Sequence, residues 1–282
     1  MAGIRLAAVA CGLGVVLAGC GTDSGSGPGF SPEPGDEISL SLLGLDADGF
    51  AAGGPYAALS PVPIHLGAFA SWYGRSEELF DEPSEASSLP ADPTYLAATA
   101  STGCREPTDV VVSRRGADLT VEFVGGEDHQ TCLRAVEPAA YLAVPSDMAA
   151  GVKTVNGVAP VAPEGPGELL DFVELGSARL DPPAPVELGT PAATAMRDML
   201  ANAGAPSEAA TALARQPEPA HRSFGFVLTG CAETSAVLLL DQDRITAALV
   251  GAENTNCDAP AYFLTTFTVD AERVPESAVL AG

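Results

Sequence analysis

The sequence predicts an α+β protein made of two tandem copies of one unit. Each copy is a small, mostly antiparallel sheet with one or two helices and a disulfide-closed β-hairpin. Three observations carry this expectation. Thr102-Gly103-Cys104 opens a stretch that closes at Cys132, and Thr229-Gly230-Cys231 opens one that closes at Cys257, with 27 and 25 residues between the cysteines. Inside each pair lies a hairpin pattern. Outside it, further matches between the two halves keep the same order, with offsets drifting from 122 to 127 to 125.

The first copy is expected over residues 38–157, a Pro/Gly-rich linker over 158–167, and the second copy over 168–282. Each opens on an apolar-rich strand, Ile38 to Leu45 or Glu168 to Leu175. A Pro-flanked strand follows, where Ser60-Pro61-Val62-Pro63-Ile64-His65-Leu66-Gly67 reads against Pro182-Pro183-Ala184-Pro185-Val186-Glu187-Leu188-Gly189. Helices are expected over Ala68 to Phe80 and Pro191 to Ala203, with a shorter one over Pro206 to Arg215 and a weaker equivalent near Pro83 to Leu89. Tyr95 to Thr102 and Ser223 to Thr229 then lead as strands into the first cysteine of each pair.

The hairpins follow from period-two alternation. Val110-Val111-Val112 runs into a turn at Arg114-Arg115-Gly116-Ala117, after which Leu119, Val121 and Phe123 alternate with Thr120 and Glu122. In the second copy Val237 to Leu240 meets a turn at Asp241-Gln242-Asp243, followed by Ile245, Ala247 and Leu249 alternating with Thr246 and Ala248. A strand out and a strand back return the chain to its starting end, so Cys104 pairs with Cys132 and Cys231 with Cys257. Four cysteines allow three pairings, and the repetition favours these local ones. Each closes a loop worth roughly 3.5 kcal/mol in the chain-entropy model. A final strand completes each copy, and downstream Ala140 to Gly157 reads against Thr265 to Gly282.

The N-terminus is a targeting segment. Arg5 supplies a positive start, Leu6 to Leu17 an apolar run too short to span a bilayer comfortably, and Leu17-Ala18-Gly19-Cys20 ends it. This ending resembles the lipobox of bacterial lipoproteins. The resemblance implies a signal peptide over residues 1–19, removed together with Cys11. It also implies diacylglycerol on Cys20, and a protein held by that lipid on the extracytoplasmic face of the cell membrane. Residues 20–37, rich in Gly, Ser, Pro and acid, read as a flexible tether.

Composition narrows the function classes. With 13 basic and 37 acidic residues the formal charge is −24, which repels nucleic acid and anionic headgroups. Lys153 is the one lysine, and Ala, Gly and Pro abound, as in a GC-rich, actinobacterial type of genome. No Gly-x-Ser-x-Gly, Ser-x-x-Lys or His-Glu-x-x-His is present. His65, His129 and His221 read as surface or turn residues. The cysteines read as disulfides rather than zinc ligands, because matched pairs outside the cytoplasm oxidise. Asp46-Ala47-Asp48-Gly49 is similar to part of a calcium loop, yet that register puts Gly44 and Pro55 at ligand positions. Glu77, Glu78, Asp81, Glu82 and Glu85 read as a solvated helix face. No metal or cofactor is expected.

The remaining candidate is aromatic. Phe69, Trp72 and Tyr73 share one side of a helix, and Arg75 and Arg197 occupy equivalent places, either to orient an anionic ligand or to pair with nearby acids. Buried, the rings are half of a core; exposed, they are a ligand-binding surface. The reading favoured here is a non-catalytic, lipid-anchored module that binds a protein or cell-envelope component. The alternatives are an envelope hydrolase with its site between the copies, or a small-solute-binding lipoprotein.

Overall fold

A computed structural model describes residues 36–37, 40–47, 55–73, 89–128, 132–176, 180–241, 243–251 and 259–282. In chain order the elements are β1 (Asp36–Glu37), β2 (Ser41–Asp46), β3 (Ala57–Ser60), α1 (Ile64–Tyr73), β4 (Pro93–Thr99), β5 (Asp109–Arg115), β6 (Asp118–Val124), β7 (Ala139–Pro145), α2 (Ser146–Ala149) and β8 (Thr154–Val155). There follow β9 (Glu168–Gly176), β10 (Val186–Glu187), α3 (Pro191–Asn202), α4 (Ser207–Leu213), β11 (His221–Gly230), β12 (Ser235–Asp241), β13 (Arg244–Val250), β14 (Ala261–Asp270) and β15 (Val279–Leu280). The protein is α+β, with strands dominating.

Two four-stranded sheets are wholly antiparallel, in the orders β2-β7-β4-β3 and β9-β14-β11-β10. Each is backed by a hairpin sheet, β1-β5-β6-β8 in one case and β12-β13-β15 in the other. In both hairpin sheets the last strand runs parallel to its neighbour: Asp118 faces Thr154, and Arg244 faces Val279. Gly116, with φ of 60°, makes the tight β5–β6 turn that only a residue without a Cβ adopts freely.

Alternation along the strands sorts the apolar side chains into layers. Leu96, Ala98, Leu142 and Val144 face Val110, Val112, Leu119, Val121 and Phe123 of the first hairpin, whereas Ala97, Ala139 and Tyr141 face α1. In the second half Phe224, Phe226, Phe267 and Val269 face Leu238 and Ile245 of the second hairpin. Val227, Tyr262 and Leu264 face α3 and α4. A fifth cluster, Ala68 with Val237 and Val250, joins α1 to the outer side of the second hairpin. The layer order is therefore α3/α4, sheet, hairpin sheet, α1, sheet, hairpin sheet.

α1 and α3 differ as their positions require. α1, Ile-His-Leu-Gly-Ala-Phe-Ala-Ser-Trp-Tyr, carries no acid, lysine or arginine and is covered on two sides. A helix apolar all round belongs inside. α3 starts with Pro191 in its first turn, Thr190 accepting from the Ala193 amide, and buries only Ala193, Met196 and Leu200. The hairpins follow the same logic. β6 alternates apolar with polar and β5 turns polar after three valines, while Ala236 to Leu240 is a continuous apolar run, as in strands covered on both faces.

Several expectations need correction. α1 starts four residues before the expected Ala68, and the range 74–88, with Arg75, the acidic set and the weaker helix, lies outside the described residues. The Pro-rich match is displaced. Ala58 pairs with Ala97, which pairs with Tyr141; Val186 pairs with Gly225, which pairs with Thr266. Ala58 and Val186 thus hold the same place in the two sheets, six residues away from the motif alignment. Proline-rich segments sit after β3 but before β10, and the motif matched the wrong two. By helix start, Arg197 sits in the place of Ala70. Asp36 and Glu37, read as the end of the tether, pair with Arg114 and Ser113 of β5. The expected linker is packed: the Val161 amide bonds to the Ala57 carbonyl, and a side chain at Gly165 would strike the Trp72 indole.

Candidate functional site

The aromatic set resolves into a joint between layers. Phe69 and Tyr73 lie on the side of α1 that faces the first sheet, both buried. Their rings pack with those of Tyr56 and Tyr141: Tyr56–Tyr73 at 4.7 Å, Phe69–Tyr73 at 5.1 Å and Phe69–Tyr141 edge-on at 6.4 Å. Burial pushes the Tyr73 phenol above its usual range, against the opposing pull of the Arg273 guanidinium. Trp72 takes a different role. Its indole Nε1 donates to the Leu238 carbonyl at 2.8 Å, and Ser71 Oγ accepts from the Leu240 amide at 3.2 Å. Both backbone groups lie on the outer edge of β12. On β5 the matching edge at Arg114 is covered by β1.

Ser71 and the Leu238–Leu240 edge did not emerge from sequence reasoning. The signal was the unbroken apolar run of β12, which calls for cover on both faces. Between the halves, where a hydrolase site was the alternative, Ala68, Val237 and Val250 are close-packed.

The histidines are placed as follows. His65 Nδ1 lies 2.7 Å from Ser60 Oγ, which also accepts from the Val62 amide at 3.0 Å. Ser60 is buried, so this pair shapes the entry to α1 and presents no open nucleophile. His221 sits between the Pro219 carbonyl at 3.1 Å and Asp270 at 3.2 Å. His129 lies outside the described residues, as does Cys20, while Asp46 to Gly49 falls partly outside them. Among the described residues no three His, Cys, Asp or Glu side chains converge on a metal-sized site.

Cys104 and Cys132 form the expected disulfide, with Cα atoms 5.6 Å apart. Cys231 is disulfide-bonded as well; Cys257, its expected partner, lies outside the described residues. Beside Cys132, Leu133 is fully exposed.

An open concavity of about 550 Å³ is lined by Arg197, Ala210, Thr211, Ala214 and Arg215 on α3, α4 and the residues just after it. Arg215 Nη2 reaches both Asp171 oxygens, at 2.9 and 3.1 Å, and Thr266 Oγ1 donates to the same carboxylate at 2.6 Å. Arg197 bonds Asp198 through Nε at 3.2 Å and Nη2 at 3.0 Å. Two guanidiniums, each held by a carboxylate, thus rim a floor of Ala210 and Ala214 beside the Thr211 hydroxyl. Nearby, Arg222 braces β10 to β11 by a two-pronged bond to Glu187 at 2.9 and 3.0 Å, and that bond raises its pKa. No helix among the described residues is long and apolar enough to cross a membrane. The chain matches no family model, no curated protein and no solved structure.

Proposed function

We propose that the chain is a lipid-anchored, extracytoplasmic binding module built by tandem duplication. The duplication is supported by the shared strand order of the two main sheets and by the matching parallel strand in each hairpin sheet. Anchoring rests on Leu17-Ala18-Gly19-Cys20 and the tether that follows it. The observation that carries the binding reading is the order of the layers. The tether enters at β1, on one end layer, and the arginine-rimmed concavity lies on α3 and α4, in the opposite end layer. The concavity thus lies in the layer at the far end of the stack from β1, open to a protein or envelope component.

Two experiments test this in the source cells. Cys20→Ala should abolish lipid labelling and release the protein from the membrane; a labelled Cys20→Ala protein would end the anchoring claim. A photo-cross-linker placed at Thr211 should capture a discrete partner, while one at Thr120, in the tether-side layer, should not. Capture from Thr120 alone, or from neither position, would overturn the proposed contact surface.

A further inference from the structure

The joint between the halves joins unlike faces, a helix on a hairpin sheet. Such head-to-tail contacts have no internal stop and can repeat from molecule to molecule. The two faces that would carry the repetition are the outer side of the β5–β6 hairpin and the outer side of α3. Matched hydrogen-bond registers place Val111, Ser113, Thr120, Glu122 and Val124 at the positions of Val237, Leu239, Thr246, Ala248 and Val250, on the side where Val237, Leu239, Ala248 and Val250 pack with Ala68 of α1. Three of these five positions carry the same residue in both hairpins. The breaks are Ser113 for Leu239 and Glu122 for Ala248. On the helix, Ala195 repeats Ala68, but Arg197, Asp198 and Met199 replace Ala70, Ser71 and Trp72, the last two being the pair that bonds the β12 edge. At the β5 edge β1 already occupies the place of those bonds.

We propose that β1, Ser113 and Glu122 at one end, with Arg197, Asp198 and Met199 at the other, are caps that prevent a second copy of this chain from docking by the same joint. A few polar residues suffice, because each would be desolvated without a partner in the repeated contact. Exposed strand edges are guarded in the same way, by short covering strands and charges.

The test uses soluble chains beginning at Gly21. One carries Ser113→Leu and Glu122→Ala, with Asp36→Pro and Glu37→Pro to remove the β1 pairing. The other carries Arg197→Ala, Asp198→Ser and Met199→Trp. Sedimentation should find each variant monomeric alone and their mixture at about twice the mass, while a chain carrying both sets should grow in mass with concentration. A mixture that stays at monomer mass, with both variants folded by circular dichroism, overturns the proposal. So does growth of the unaltered chain into the same open-ended species. If the proline pair prevents folding, the first variant begins at Leu40 instead, and the same masses decide.

Discussion

Val237→Asp, compared with Val111→Asp, tests the layered joint at two matched positions. Val237 is 2% exposed and packs on Ala68 and Val250 beneath α1; Val111 holds the same place in the first hairpin but is only half-buried. Removing a buried valine costs about 1.5–3 kcal/mol, and an unpaired buried carboxylate adds roughly 3–5 kcal/mol. The total matches much of the 5–15 kcal/mol that typically holds a domain together. Opening the joint is the cheaper response, so the two halves should separate and unfold independently. At Val111 the loss should be about 0.5 kcal/mol, as for other solvent-facing substitutions. Trp72 is the sole tryptophan and sits in the joint, so its emission reports the opening directly. Urea unfolding followed by circular dichroism should change from one transition to two for Val237→Asp and stay single for Val111→Asp. Equal losses from the two substitutions, or unchanged Trp72 emission in Val237→Asp, would refute the layer order.

Three further outcomes are expected. Thr265 is fully buried between the second sheet and its hairpin, and its hydroxyl has no hydrogen-bond partner among the described residues; Thr265→Val should stabilise by about 1–2 kcal/mol, and a lowered melting temperature would count against this. Burial, and then the Asp46 carboxylate, hold the Tyr141 phenol above its usual value. The folded state therefore keeps a proton that the unfolded chain loses above about pH 10, and stability should fall from there by roughly 1.4 kcal/mol per pH unit, a decline that Tyr141→Phe should reduce in alkaline titrations. Replacing Cys104 and Cys132 together by serine should cost up to about 3.5 kcal/mol in urea unfolding, since the bridge closes a long loop next to exposed residues; an unchanged midpoint would show that the loop is already restrained without it.

Local signals in the sequence were good guides. The Val110–Val112 run before its turn placed β5, period-two alternation placed β6 and β13 within a residue or two, the cysteine spacing placed the first disulfide, and Pro191 marked the start of α3. What stayed hidden is which element covers which. Trp72 and Leu238 are 166 residues apart, and no local pattern encodes that contact. Even so, two signs of it were present: a helix with no charge on any face, and a strand apolar at every position from Ala236 to Leu240. Each needs a second cover, and each is the other's. Motif matching failed where the chain is richest in proline, because Pro-x-Pro recurs on both sides of a short strand and carries little positional information. The acidic surface excluded nucleic acid as a partner class in the sequence reading, but it did not single out the two arginines that converge on the α3–α4 concavity.

The placement of α1 has a consequence for biogenesis. A chain that emerges N-terminus first can close its first sheet around α1 once residue 145 is out, yet the other side of the helix must wait for β12 and β13, about a hundred residues later. Throughout that interval Ala68 and Trp72 face solvent on a half-made molecule. Exposed apolar surface of this kind invites aggregation or a chaperone. Any truncation that ends before Val250 would leave that state permanent, so premature stops in the second half should be removed by quality control rather than accumulate as a working first half.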